Sequence, residues 1–228
     1  MEFPNTAEEL ETFQRRLSIE EPPQFVPPAR PLRVAGVFVC FGRGGGGSGA
    51  AGDAGWAAAT VFAEGRCLDA ATVAGVAGGP YQPGLLALRE GSLLAAAVEE
   101  LGRPFDLLLV NATGWDHPRR AGLALHLGTH LQVPTVGITH RTLLAAGVWP
   151  EGTERGARAP LTIDGGLVGY WVRTRTGCRP LAIHAGWRID PDRAAQLALE
   201  ATGNVRTSEP LREARRLART ARTSQSTQ

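Results

Sequence analysis

Residues 106 to 128, DLLLVNATGWDHPRRAGLALHLG, bring Asn111, Thr113, Asp116 and His117 together just past an apolar run. An imidazole there, like Glu90 or His140 elsewhere in the chain, could act as general acid or base. The run itself, Leu107 to Val110, follows Pro104 and ends at small polar residues, as expected of a strand buried on both faces of a parallel sheet. Ligands bind at the carboxyl ends of such strands, so this is where chemistry is expected. Asn111 stands at the end of the strand, where a catalytic site would want a carboxylate. The alternative is a polar turn in which Asn111 and Asp116 hydrogen-bond their own backbone.

Such a turn must be held by a larger framework. The 228 residues suffice for a full core, and the net charge of +2 is too small to identify a nucleic-acid binder. All 24 basic residues are arginines. Without lysine there is no Schiff base and no phosphate-gripping ammonium, but forked guanidinium donors suited to phosphates remain. Cys40, Cys67 and Cys178 have no metal-type spacing and read as reduced thiols. The acidic, polar N-terminus and the lack of an 18-residue apolar run point to a cytoplasmic protein with no membrane partner.

Residues 5 to 21 carry Thr6 followed by Glu9, a capping box, with Leu10, Phe13 and Leu17 at helical spacing. A proline-rich connector leads to strands over 32 to 41, 56 to 64 and 66 to 78. The glycine-rich loop 42 to 55 lacks a following Gly-Lys pair and reads as a linker-like insertion, not a phosphate-binding loop. Further expected elements are a helix over 85 to 102, the strand ending at Asn111, a helix over 119 to 130 and a strand over 134 to 139. β-Structure over 161 to 185 and helices over 191 to 202 and 209 to 221 follow. The order predicts an α/β fold with a mixed sheet, antiparallel early and parallel later. One domain is expected over 1 to 222, with a disordered tail at 223 to 228.

VAGVFVCF, PYQPGLLALREG, DLLLVNATGWDHPRRAGLALHLG, VPTVGITHRTLL, LVGYWVRTRTGCRPLAIHAGWRI and RTSEPLREARRLA, in this order, resemble endonuclease V over about residues 8 to 219. The resemblance implies a ribonuclease H-like mixed sheet flanked by helices. It also implies recognition of a deaminated purine, deoxyinosine or inosine, in DNA or RNA, and magnesium-dependent cleavage of a nearby phosphodiester. Carried over position by position, the family's metal-binding carboxylates fall on Phe38, Glu90 and Asn111, its assisting lysine on His140 and its late histidine on Trp187. Only Glu90 survives. A phenyl ring offers a cation no lone pair, and the loss of two negative charges removes most of what holds Mg²⁺ against dehydration. No cofactor is therefore expected, with Mg²⁺ required only if cleavage survives. Phe38 and Trp187 are expected to pack together and fill the old metal cavity.

The recognition half matches better. Tyr81 stands at the family's wedge, an aromatic inserted beside an everted base, although packing between two prolines explains it equally. Pro83, Gly84, Leu86, Gly114 and Gly122 match positions near the base pocket, while Ala112 and Thr113 replace a Gly-His pair. Arg89, Arg119 and Arg120 could grip phosphates or form ordinary surface ion pairs. His126 and His130 would be a metal pair only with a third ligand, and His184 reads as a satisfied sheet histidine.

Three readings follow. The first is an endonuclease V-like pseudoenzyme that binds DNA or RNA without cutting. The second is an enzyme repurposed for a small-molecule ligand in a pocket of Phe38, Glu90, Asn111, Asp116, His117, His140 and Trp187. The third is an active nuclease with a metal site rebuilt from Glu90, Asp116 and Asn111.

Overall fold

The structure, a computed structural model, describes residues 3–42 and 49–225. Its sheet is built from β1 (Val34–Phe41), β2 (Ala54–Ala63), β3 (Arg66–Val76), β4 (Leu107–Val110), β5 (Thr135–Thr139), β6 (Arg158–Ile163), β7 (Gly166–Val172) and β8 (Leu181–Ala185). The helices are α1 (Ala7–Leu17), α2 (Leu86–Glu99), α3 (Leu123–Leu131), α4 (Pro191–Glu200) and α5 (Glu209–Gln225). All eight strands join one sheet in the order β3-β2-β1-β4-β5-β8-β7-β6. Among the named strands the parallel pairings are β1 with β4 and β4 with β5, at the centre of the sheet. The predicted parallel later section is thus displaced to the middle, because β8, β7 and β6 return antiparallel beside β5.

The burial of each strand follows from its sequence. Leu107 to Val110 are all buried, as is β8 throughout, which explains their continuous apolar runs. Alternation divides the core between the two faces. Val37, Val39, Leu108 and Val110 point to a layer holding Leu10 of α1, Leu94 of α2 and Leu127 of α3. Leu107 and Leu109 point the other way, with Ile183, Leu197 of α4 and Leu211 of α5. Phe38, one residue out of step with Val37, belongs to the α5 face beside Cys40, Trp56 and Ala218.

The capping box at Thr6 and Glu9 is present, and the helix ends at Leu17, the last of the apolar positions at helical spacing. The helix expected from 119 begins at Leu123, because Arg120 takes a left-handed φ of 54° and Gly122 caps the helix. At the other end, α5 reaches Gln225 and so includes 223 to 225, which were expected to be disordered; 226 to 228 lie outside the described residues. Residues 43 to 48 of the glycine-rich loop also lie outside them, while Ala54 and Gly55 already belong to β2. Helix α5 starts tightly on β1 and β2: the Thr60 hydroxyl of β2 donates to the Pro210 carbonyl at 3.0 Å, and a Cβ on Gly36 of β1 would lie 2.5 Å from the Pro210 carbonyl carbon. This contact sets which α5 side chains overhang the carboxyl end of β1. No helix among the described residues is long and apolar enough to cross a membrane.

Candidate functional site

The register pairs Val37 with Val110, so Phe38 and Asn111 lie side by side one residue beyond the last paired position of β1 and β4. With Glu90 from α2 they line a cavity of about 260 Å³, together with Tyr81 and Leu86. Here the three positions matched to metal ligands do converge. Their chemistry does not suit a cation. Burial pushes the Glu90 carboxyl up to about 7, and the neighbouring Arg89 offsets this only in part. Phe38 contributes an aryl ring, and the Asn111 oxygen lies 3.4 Å from Arg215 Nη2. Among the described residues no group of three or more His, Cys, Asp or Glu could hold a metal ion. The residues present do not fit Mg²⁺, which needs several hard oxygen ligands in near-octahedral array.

Asp116 does not repair this set. Its side chain is fully buried and accepts the backbone N–H groups of Leu143 at 2.7 Å, Leu144 at 2.7 Å and Ala145 at 2.8 Å. His184 Nδ1 lies 3.8 Å from the same carboxylate, and its Nε2–H donates to Thr139 Oγ1 at 2.8 Å, since that hydroxyl donates to the Arg141 carbonyl. Burial lowers the His184 pKa to about 4, which keeps the ring neutral with its Nδ1 unpartnered. The expected sheet histidine is therefore satisfied on one nitrogen only. Together Asp116, His184 and Thr139 pin the segment after β5, whose Leu143 faces the next cavity.

That second cavity, about 160 Å³, lies between the Tyr81 loop and the residues after β4. Tyr81, Leu86 and Asn111 line both cavities; Gln14, Pro83, Gly84, Thr113, His117 and Leu143 are among the other residues of the second. Its wall is organised by one carbonyl. The Gly84 oxygen accepts from His117 Nε2–H at 3.0 Å, Arg119 Nη2 at 3.1 Å and Gln14 Nε2 at 3.2 Å. Gly84 adopts φ 80°, a conformation costly for any residue with a Cβ. The Arg119 amide donates to His117 Nδ1 at 3.1 Å, and burial lowers the His117 pKa to about 4, so the ring is neutral with its proton on Nε2. Tyr81 itself is 49% exposed at the rim, its amide bonded to the Gly49 carbonyl at 3.0 Å.

Several expected site residues have other work. Arg89 is buried, with Nη1 on the Ala50 and Gly79 carbonyls, Nη2 2.8 Å from Asp53, and its guanidinium 4.1 Å from the Phe41 ring centroid. It ties loops together and has no free face for phosphate. Arg119 is likewise engaged by Gln14 at 2.7 Å and Glu11 at 3.4 Å, and Arg120 by Ile163 and Asp164. Gly114 and Gly122 line neither cavity; a Cβ on Gly114 would strike the Ala185 carbonyl, so its requirement is close backbone packing. His126 stacks on Phe3 and packs on Phe13, while His130 faces Phe3 and has Nε2 3.6 Å from Glu99, so the pair is held by rings and a carboxylate contact.

Trp187 does not meet Phe38. Its amide donates to Thr135 Oγ1 at 2.8 Å, at the start of β5, because β8 runs antiparallel to β5 and delivers its end there. Asn111 lies instead toward the end of β5, one step beyond the Val110–Gly137 pair. The indole packs with Leu17, Ala121 and Leu125. His140 is exposed on a rim with Arg141, Arg179 and Arg206 and lines neither cavity. Burial, then Arg206 and Arg215, lower its basicity.

The residue that does meet Phe38 is Arg215 of α5, whose guanidinium carbon lies 5.0 Å from the ring centroid. Sequence reasoning missed it. The available signal was helical spacing: Arg215 follows Leu211 by four and precedes Ala218 by three, and both neighbours are buried.

A family model described as Endonuclease V matches residues 18–216. The Endonuclease V of Streptomyces avermitilis is 35% identical over 226 residues, spanning 96% of this chain and 93% of that protein. That of Nocardia farcinica is 42% identical over 143 residues, a match that spans 62% of each. The crystal structure of the Endonuclease V from Streptomyces avermitilis superposes with a TM-score of 0.85 at 34% identity, covering 99% of this chain and 96% of that one. The Endonuclease V of Ciona intestinalis, solved in complex with a 24mer DNA containing an inosine, shares the fold at TM-score 0.77 and 16% identity, over 95% of this chain and 98% of that one.

Proposed function

The chain belongs to the endonuclease V family, and from that premise we propose that it recognises an inosine-bearing strand of DNA or RNA and holds it without metal-dependent cleavage. The observation that carries the proposal is the pocket of Phe38, Glu90 and Asn111. It keeps one carboxyl, pushed up to about 7, where hydrolysis of a phosphodiester needs oxygen ligands for a metal that activates water and steadies the leaving oxygen. Any divalent ion bound there would supply that chemistry, and this donor set does not retain one.

The adjoining cavity supports recognition. Tyr81 stands exposed at its rim, where an aromatic can occupy the gap left by an everted base. Behind it the Gly84 carbonyl is fixed by three donors, so the wall is pre-formed rather than assembled on binding. Asn111 and Thr113 provide hydrogen-bonding groups around a space lined also by Leu86, Leu143 and the internally bonded ring of His117. The same features fit a nucleic-acid partner better than a small-molecule ligand, because the pocket adjoins an arginine-lined groove along α5. A rebuilt metal site fares worse, since both oxygens of Asp116 are committed to backbone amides. The expected cytoplasmic location is part of this proposal.

Equilibrium binding to an oligonucleotide with one inosine and to its matched control tests the reading. Tighter binding to the inosine strand, reduced by Tyr81→Ala, supports it; equal binding to both strands overturns the recognition claim.

A further inference from the structure

Arg215 and Arg219 face no carboxylate among the described residues. Arg215 touches only the neutral Asn111 oxygen, at 3.4 Å, and both guanidinium groups lie by the Phe38 ring, at 5.0 and 6.0 Å from its centroid. The Nε of Arg215 is buried without a hydrogen-bond partner. Burial, and then the charge of Arg219, lower its basicity, as expected for a cation without a counter-ion. It nevertheless stays charged, as arginine does in proteins. Other arginines near the site differ: Arg216 is paired with Glu213 at 2.6 Å, Arg89 with Asp53 at 2.8 Å and Arg119 with Glu11 at 3.4 Å. Arg215 and Arg219, without such a carboxylate, border the lost metal position.

They also line an open groove of about 650 Å³ along α5, together with Arg212, Thr220 and Thr223. Arg215 thus has one side on Phe38 and Asn111 and another on this open face of α5.

We propose that Arg215, assisted by Arg219, is a fixed phosphodiester clamp that supplies the positive charge a metal would otherwise bring, so that strand binding is independent of divalent cations. This deepens the proposed function and relies on it only for the identity of the strand. A guanidinium can donate two parallel N–H bonds to the non-bridging oxygens of a phosphate. The Phe38 ring supports it through a cation–π contact without competing as an acceptor. No bond is made or broken: the clamp neutralises phosphate charge but provides neither a hydroxide nor a Lewis acid for the leaving oxygen.

The test measures binding of a labelled DNA oligonucleotide carrying one deoxyinosine, and of its adenine control, in EDTA and in Mg²⁺ across a salt series. Wild-type affinity is expected to differ by less than about twofold between EDTA and Mg²⁺. Arg215→Ala should weaken both strands alike, by about tenfold, and reduce the salt slope by about one. Arg219→Ala, at an exposed position that leaves the core intact, should weaken both by about threefold. An inosine-bearing RNA and its control should show the same losses, because the phosphate is common to both. Binding that requires Mg²⁺, or that both substitutions leave unchanged while the chain stays folded, overturns the clamp. Equal wild-type affinity for both strands with the arginine effects intact overturns the recognition reading and supports the clamp.

Discussion

The guanidinium of Arg215 lies 5.0 Å from the centroid of the Phe38 ring, just past the last pair between β1 and β4. A cation over an aromatic ring thus stands where the family resemblance places carboxylates around a metal. The local charge has changed sign, and an ion brought there would meet repulsion in place of ligands.

Restoring the acids alone should therefore be insufficient. Phe38→Asp with Asn111→Asp places two carboxylates within reach of Arg215, which will pair with them. Calorimetric titration with Mg²⁺ should detect at least about tenfold tighter binding when Arg215→Ala is added to the double variant. Equal Mg²⁺ affinity with and without Arg215 would remove the guanidinium from the explanation.

Glu90 makes stability depend on pH. Its carboxyl is raised from 4.5 to about 7, so the folded state holds the proton more tightly than the unfolded chain. The associated stability is fully present below 4.5 and is lost as pH rises through about 7. Glu90→Gln, which keeps the shape without the charge, should stabilise the protein at pH 8 by about 1 to 3 kcal/mol and leave it nearly unchanged at pH 4. Chemical denaturation at the two pH values reads the difference; equal effects at both would show that Glu90 is not held protonated.

Asp116 acts through the segment it pins. Asp116→Ala strands the three amides of Leu143, Leu144 and Ala145 and is expected to cost about 3 kcal/mol or more. Hydrogen exchange should show those amides losing protection ahead of β4. Unaltered protection there would contradict the anchoring role.

Gly84→Ala probes the wall behind Tyr81. The added Cβ has room, 3.5 Å from the nearest atom, but φ 80° costs an L-residue about 1 to 2 kcal/mol. Inosine preference should fall while affinity for the control strand holds. A uniform loss on both strands would place Gly84 outside the recognition element.

Much of this was readable from sequence because local patterns specify it. The apolar run Leu107 to Val110 encodes a strand buried on two faces, and Thr6 with Glu9 encodes a helix start. The convergence of Phe38, Glu90 and Asn111 followed from the family resemblance. What escaped depends on relations between distant segments. Trp187 was assigned to the site by motif order, yet the antiparallel return of β8 carries it to the start of β5. Arg89 and Arg119 looked like phosphate grips because their internal partners, at Asp53 and Gln14, are remote in sequence. Arg215 was overlooked because neither Asn111 nor Phe38 lies near it along the chain.

The central claim, a strand held but not cut, is tested most directly by a single-turnover cleavage assay with protein in excess over an inosine-containing strand. Mg²⁺ or Mn²⁺ is supplied, products are resolved on a denaturing gel, and the Streptomyces avermitilis relative runs alongside. The account predicts no metal-dependent product under conditions in which the strand is fully bound. A product that requires the metal and disappears in Glu90→Ala would contradict it.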